Sequence, residues 1–366
     1  MKKMLFVAGL CVAVAGTSLF AAGARAAVAA NGVTVRLLTD ATGIDDKSFN
    51  AAAWRGILEF YGDTWDKPSK RGTSYEVITA QTQDMLTPNL LQATDEGYSL
   101  VVATGFTFLD ALNEVAPSHP TQKYMIVDVD GVNHPNVLQA IYAEHEGSFL
   151  VGVAAALKAQ ADGIATPKFG FIGGIADPTI TKFEVGFVQG VLSVLPDAEI
   201  VDYYVNDWGN PALAKTQAKT WYDNGVYAIY SAAGGSGNGT IAQAKEYRLQ
   251  GTNVWAIGVD SDQHEEGKYN DTESAVLTSM IKRVETSLVY ALNAVKNNTF
   301  KGEVITFDLK QNGVGYSTTN AALSASIKTT LEAVKQEIIT GKITVAATYA
   351  QAKRITGFPQ NLNARD

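Results

Sequence analysis

Three aspartates stand at the ends of apolar runs: Asp40 after 33–38, Asp128 in Asp128-Val129-Asp130-Gly131, and Asp260 in Asp260-Ser261-Asp262-Gln263. A carboxylate at the carboxyl end of a buried strand faces the crevice where open α/β sheets hold their ligands, and it accepts hydrogen bonds from hydroxyl or amine groups. A single aspartate in such a place reads first as a helix cap. Here the pattern recurs, because Thr104-Gly105-Phe106, Gly173-Gly174 and Gly234-Gly235-Ser236-Gly237-Asn238-Gly239 close three further runs. Six corners of this kind suggest one shared site. The glycine loop lacks the Lys-Ser/Thr of a P-loop, and close backbone approach to a hydroxylated ligand fits it as well.

Two aromatic residues sit where no core would bury them. The helix expected after Asp40 carries Trp54, Ile57, Leu58 and Tyr61 at i, i+3, i+4 and i+7, which sets its buried face. At about 100° per residue, Phe49 in the first turn points well away from that stripe, next to Asn50. Trp208 lies in Asn206-Asp207-Trp208-Gly209-Asn210-Pro211, a run of turn formers with no face to bury an indole. Phe183 and Phe187 are the contrast, on the apolar stripe of their own helix and expected in the core. Lys282 and Arg283 are placed at the start of a helix whose apolar positions are Ile281, Val284, Leu288, Leu292 and Val295. Cations are disfavoured there, so Lys282 is read as aimed at ligand oxygens or at Asp260.

Catalytic arrangements fail on their own requirements. Asp128-Val129-Asp130-Gly131-Val132 imitates the aspartyl-phosphate motif of haloacid dehalogenase-type phosphatases, but follows the fourth strand rather than the first and has no downstream partner set. Gly43-Ile44-Asp45-Asp46 imitates the calcium motif of nucleoside hydrolases, whose cage needs aspartates where this chain has Thr39 and Ala41. A serine elbow would need glycine at Asn238, two residues after Ser236. His119, His134, His145 and His264 show no metal spacing. No catalytic residue, metal or cofactor is expected.

The elements that must position these groups follow from hydrophobic runs. Strands are expected at 33–38, 75–79, 100–103, 124–129 and 137–142, and again at 168–172, 199–205, 228–232, 254–259 and 275–277, with helical stripes between. An irregular strand over 302–309 precedes helices at 321–339 and 348–352. Continuous apolar strands in βαβα order imply an α/β fold with parallel sheets covered on both faces. The order runs twice, with 147–167 bridging the halves through an apolar helix, so two lobes with a cleft between them are expected. The first lobe is assigned 31–145 plus about 262–300, the second 146–261 plus about 301–366.

Lys2 and Lys3, an apolar run over 4–20 and the small residues around Ala24-Arg25-Ala26 read as an export signal over 1–26, with cleavage between 26 and 30. The one cysteine, Cys11, lies inside it and too early for lipid attachment. The chain carries a net charge of −8, and the leader holds three basic and no acidic residues, so the mature part is more acidic still. Nucleic acid and anionic lipid are therefore not expected as partners.

Taken in order, Gly43-Ile44-Asp45-Asp46-Lys47-Ser48-Phe49-Asn50, Glu146-Gly147-Ser148-Phe149-Leu150-Val151-Gly152, Phe171-Ile172-Gly173-Gly174, the loop 234–239, Gly258-Val259-Asp260-Ser261-Asp262-Gln263 and Leu277-Thr278-Ser279-Met280-Ile281-Lys282-Arg283 span nearly the whole mature chain. This series resembles the basic membrane protein family of ABC-transporter substrate-binding proteins, which includes bacterial purine nucleoside receptors. The resemblance implies a two-lobed type I periplasmic-binding fold that closes on a nucleoside and delivers it to permease subunits. It implies a base stacked between Phe49 and Trp208, where the family more often has phenylalanine at the second position. Asp40 and Asn50 match base-edge contacts, Asp128 a further polar contact, and Asp260, Lys282 and the backbone at Gly234-Gly235 the ribose set. Riboflavin or a sugar-like ligand on the same fold, and a nucleoside hydrolase-type enzyme, are the competing readings. Many members are lipoproteins; without a lipid-site cysteine this chain is expected to be a monomeric, freely diffusing periplasmic receptor.

Overall fold

The computed structural model describes residues 32–366. The export segment expected over 1–26 lies outside them. The first half contributes β1 (Val35–Thr39), α1 (Phe49–Tyr61), β2 (Tyr75–Thr79), α2 (Leu86–Asp95), β3 (Leu100–Thr104), α3 (Leu109–Val115), β4 (Tyr124–Val127) and β5 (Val137–Tyr142). The second begins with α4 (Glu144–Ala161) and repeats the plan with β6 (Lys168–Gly173), α5 (Pro178–Val194), β7 (Glu199–Tyr204), α6 (Pro211–Asp223), β8 (Val226–Ala232), α7 (Asn238–Leu249), β9 (Trp255–Asp260) and β10 (Val276–Lys282). The chain then adds α8 (Val284–Lys296), β11 (Val304–Phe307), β12 (Val314–Tyr316), α9 (Ala325–Ile339) and α10 (Tyr349–Ala352). Among the described residues no helix is long and apolar enough to cross a membrane.

Two six-stranded sheets result, ordered β11-β5-β4-β3-β1-β2 and β12-β10-β9-β8-β6-β7. All pairings are parallel except β10 with β12. Each sheet reverses its strand order beside its first strand, at β1/β3 and at β6/β8, and the crevice outside such a switch point is where α/β sheets receive ligands. β1, β3, β8, β9 and β10 are buried over their full length, as parallel strands with helices on both faces must be.

The boundaries of the lobes differ from those expected. Residues 276–282, assigned from sequence to the first lobe, form β10 between β9 and β12 in the second sheet. Residues 304–307, assigned to the second lobe, form β11 beside β5 in the first. The chain therefore crosses at Ala143, at Arg283 and between Leu309 and Gly313. Sequence reading ended β10 at 277 because Thr278, Ser279 and Lys282 interrupt its apolar run. All three are buried with partners: Thr278 donates to the Ser317 carbonyl at 2.7 Å, Ser279 accepts from the Gln263 amide at 3.0 Å, and Lys282 meets Asp128. The helix expected to start at Lys282 starts at Val284 instead. The predicted bridge over 147–167 is likewise not a bridge, since α4 lies mainly against α5, β10, β12 and α9 in the second lobe.

Glycines let these layers approach. A Cβ at Gly190 of α5 would stand 2.1 Å from the Phe149 carbonyl oxygen of α4, one at Gly186 2.3 Å from that of His145, and one at Gly152 2.3 Å from that of Phe187. In the first lobe a Cβ at Gly56 of α1 would lie 2.7 Å from the Glu285 backbone of α8. Neighbouring backbone cannot retreat as a flexible side chain can. Gly190→Val should therefore cost about 1–3 kcal/mol by overpacking and lower Tm by several degrees in a thermal melt; an unchanged Tm would show that the helices can part.

Beneath Gly186, burial pushes the His145 imidazole down to about 4 from 6.5, with Glu144 pulling the other way. The unfolded chain then takes up the proton first as pH falls. The contribution of neutral His145 to stability is full above about 6.5 and is lost as pH drops toward 4. In melts between those two pH values, His145→Gln should lose less Tm than the parent protein.

Candidate ligand-binding site

A cavity of about 630 Å³, its mouth included, lies between the carboxyl ends of the two sheets. Ligand sites of about 300–1,000 Å³ are usual for small molecules. Eight of the nine residues singled out from sequence line it: Asp40, Phe49, Asn50, Asp128, Trp208, Gly234, Asp260 and Lys282. Gly235 does not. A Cβ there would meet the Trp208 carbonyl oxygen at 3.1 Å and Thr42 at 3.9 Å, so Gly235 supports the wall from behind.

Lys282 is the least exposed charged residue lining the cavity, at 1 %. Its Nζ lies 2.5 Å from Asp128 Oδ2 across the lobes and 3.4 Å from Glu144 Oε1 within its own. Glu144 in turn holds Lys182 at 3.2 Å. The rings of Phe49, Tyr142 and Phe183 surround the same ammonium at 4.8, 5.2 and 5.2 Å, where the negative faces of aromatic rings favour a cation. Burial works against the lysine charge, but Asp128, Glu144 and Asp260 outweigh it and hold Lys282 above the usual lysine range. Burial raises both Asp128 and Asp260, against the pull of Lys282. Asp128 Oδ1 is buried and has no hydrogen-bond partner.

Asp128 and Asp260 share a backbone feature. Asp128 directly follows β4 and Asp260 is the last residue of β9, and both have φ in the left-handed region, +78° and +62°. For a residue with a Cβ that conformation costs about 1–3 kcal/mol, and it aims each carboxylate at the cavity rather than along the next helix. Asp260 also accepts a hydrogen bond from Ser48 across the lobes. Asn238 Nδ2 to the Asp46 carbonyl at 3.0 Å and Gln263 Nε2 to that of Lys47 at 3.2 Å complete the same seam.

At the other end, Asp40, Thr42, Asn50 and Thr104 form a chain of hydrogen bonds. The Thr42 amide donates to Asp40 Oδ1 at 3.1 Å, and so do the Thr42 hydroxyl and Asn50 Nδ2. Asn50 Nδ2 also donates to Thr42 Oγ1 at 3.0 Å, while Asn50 Oδ1 accepts from Thr104 Oγ1 at 2.6 Å. These three bonds to Asp40 all land on Oδ1. Asn50 Nδ2 thus meets Asp40 and Thr42 side by side, so this residue orients Asp40 as well as lining the cavity.

The two aromatic walls are built differently. Phe49 is partly buried and off the stripe formed by Trp54, Ile57, Leu58 and Tyr61, all of which are buried. Trp208 rests on glycine: a Cβ at Gly174 would stand 2.0 Å from the indole, and one at Gly234 3.5 Å away. Its loop is pinned by Ser236, whose amide donates to the Trp208 carbonyl at 2.8 Å and whose hydroxyl donates to that of Asp207 at 2.7 Å. The serine excluded as a nucleophile thus holds the aromatic wall in place. Phe106 meets Trp208 edge to face, with centroids 6.4 Å apart.

Several lining residues escaped the sequence reading. Phe106 and Thr104 belong to a corner that was recognised without its residues being singled out. Phe183 is buried as expected, yet it also walls the cavity. Asp46, part of the calcium-like motif, is occupied otherwise: its oxygens accept the backbone amides of Ser48, Asn50 and Ala51 at 3.0, 2.8 and 3.0 Å and so cap α1. Burial raises it to about 6 despite those bonds. Glu144 gave no signal, because its role depends on a lysine more than a hundred residues away. Among the described residues no group of three or more His, Cys, Asp or Glu could hold a metal ion.

Comparison with known proteins agrees with this architecture. Residues 33–349 match the family described as Bmp, ABC transporter substrate-binding protein PnrA-like. The ABC transporter nucleoside-binding protein BmpA of Lactococcus lactis is 35% identical over 319 residues, 84% of this chain and 88% of that protein. A CD4+ T-cell-stimulating antigen of Listeria monocytogenes is 36% identical over 320 residues, 85% and 87% of the two chains. Among solved structures, an ABC transporter solute-binding protein from Aeropyrum pernix superposes with a TM-score of 0.75 at 25% identity, covering 88% of this chain and 96% of that one. A periplasmic solute-binding protein from Actinobacillus succinogenes, at 15% identity and a TM-score of 0.57, shares the fold. With its two parallel-sheet lobes, its three crossings and its cleft between strand ends, the chain is a type I solute-binding protein and belongs to the Bmp family of ABC-transporter substrate-binding proteins.

Proposed function

We propose that this protein captures a purine nucleoside between its lobes and presents it to an ABC importer. The observation that carries the reading is the make-up of one cavity: Phe49, whose ring caps the Lys282 ammonium, and Trp208 line it with Asp40, while Lys282, Asp128 and Asp260 gather charge at one end. A flat base stacks on aromatic rings for about 1–3 kcal/mol each. A ribose supplies hydroxyl donors for the unpartnered Asp128 Oδ1 and for Asp260, and a ligand without those hydroxyls leaves buried acceptors unpaired. The backbone at Gly234 allows close approach. The nucleoside-binding relative supports the same ligand class.

The protein binds its ligand and does not cleave it. Asp260 is held by Ser48 and Asp46 by the first turn of α1, and Asp128, paired with Lys282, keeps one free oxygen, which this reading assigns to a ligand hydroxyl. It acts in the periplasm as a monomer released from its signal segment, without a lipid anchor, and its partners are permease subunits rather than nucleic acid. The acidic balance of the chain fits that last point.

A thermal-shift panel of inosine, guanosine, adenosine, cytidine, riboflavin and D-allose tests the reading. Purine nucleosides should raise Tm most; stabilisation by riboflavin or the sugar alone would replace the ligand, and free base released from inosine would make the protein an enzyme. Calorimetry on Trp208→Ala and Phe49→Ala should give affinities weaker by roughly ten- to a hundredfold with Tm of the unliganded protein little changed for Trp208→Ala. Phe49→Ala should also lower Tm, since it removes a ring from the Lys282 cage.

A further inference from the structure

Four residues of the inner cavity also line a second one outside it: Asp40, Thr42, Thr107 and Trp208. The outer cavity encloses about 850 Å³, mouth included. Its remaining walls include Gln81, Gln83 and Leu86 of the first lobe and Ile175 and Asp207 of the second. The four shared residues border both cavities, and a doorway is inferred at that border. Thr42 narrows it from one lobe, since a Cβ at Gly209 of the other would lie 3.5 Å from its methyl group.

The position of this doorway within the inner site is informative. Lys282, Asp128 and Asp260 line only the inner cavity among these two, whereas Asp40 lines both. A ligand with its hydroxyl groups on the charged end therefore directs the far edge of its ring toward Asp40 and the doorway. Asp40 is a carboxylate whose Oδ1 already accepts three hydrogen bonds. Its other oxygen suits an N–H on that edge. An exocyclic amine carrying one substituent keeps one N–H for Asp40 and sends the substituent outward.

We propose that the outer cavity is a subsite for a substituent on the base, so that the protein takes nucleosides whose exocyclic amine carries a bulky group. The inference rests on the nucleoside reading above and extends it. The walls define the class of substituent. Leu86 and Ile175 provide apolar surface, and Gln81 and Gln83 provide amides that donate and accept. The charged groups lining the outer cavity are the carboxylates of Asp40 and Asp207, with no lysine or arginine among the lining residues. Neutral or cationic substituents fit; an anionic one meets the like charge of Asp40 and Asp207.

Calorimetric titration of the full chain with adenosine, guanosine, N6-benzyladenosine and N2-benzylguanosine tests this. Each benzyl derivative keeps one amine N–H. The derivative of the better-bound parent should bind within about tenfold of that parent, or more tightly, and Gln83→Trp, which narrows the outer cavity at a residue that does not line the inner one, should weaken it by about tenfold or more while leaving the parent unchanged. N6-(2-aminoethyl)adenosine should also bind more tightly than N6-(2-carboxyethyl)adenosine. A parent that binds while its derivative is weaker by more than tenfold overturns the subsite and leaves the nucleoside reading intact. An unaltered derivative in Gln83→Trp overturns its location, and a preference for the carboxylate overturns its charge character. Failure of both parents and both derivatives overturns the nucleoside reading, and the subsite with it.

Discussion

The buried ammonium of Lys282 is the constraint around which the rest is arranged. A cation taken out of water is costly unless it is paired and its hydrogen bonds are met. Two carboxylates from different lobes and three aromatic rings meet that demand at one point. The requirement reaches far along the chain. It accounts for the buried Glu144 in the first turn of α4 and for Tyr142 just before it. It also gives a reason for the left-handed backbone at Asp128, which a helix-capping aspartate would not need. An ion pair of this kind contributes little to stability compared with well-packed apolar groups. Its presence is better explained by what it does to the cavity, where it leaves one carboxylate oxygen without a partner beside a fixed positive charge.

Across the cavity the design is apolar and rests on absence of side chains. Trp208 lies flat on Gly174 and Gly234, and Ser236 fastens its loop. Glycine at these positions is therefore a matter of space for an indole as much as of loop conformation. The same device recurs between α4 and α5, where Gly152, Gly186 and Gly190 bring two helix backbones together. The second lobe is thus held as one unit from its first helix to the wall of the cleft.

Most of the fold was legible because parallel strands covered on both faces leave continuous apolar runs, and nine of ten such runs fell on observed strands within two residues at each end. The reading failed where polar residues are buried for a reason in three dimensions. Thr278, Ser279 and Lys282 broke the pattern of β10, which shifted the expected lobe boundary and placed a helix start two residues early. The site residues were legible wherever strand-end position or a misplaced aromatic marked them, as for Asp40, Asp260, Phe49 and Trp208. Phe183 and Glu144 were not, since a core phenylalanine and a helix-start glutamate look ordinary until the lysine they surround is in place. Asn50 was found by its neighbourhood to Phe49, although its amide serves Asp40.

Lys282 and Glu144 both sit beside points where the chain passes from one lobe to the other, and both travel with the second lobe, whereas Asp128 belongs to the first. Parting the lobes would therefore separate Lys282 from Asp128 but not from Glu144. The lysine would keep a counter-charge throughout, and Asp128, raised by burial while the lobes are together, would be hydrated and return toward the ordinary carboxylate range as it emerged. A receptor that must both grip and release benefits from such an asymmetric division of partners: opening exchanges one ion pair for solvent instead of abandoning a bare charge in a hydrophobic wall.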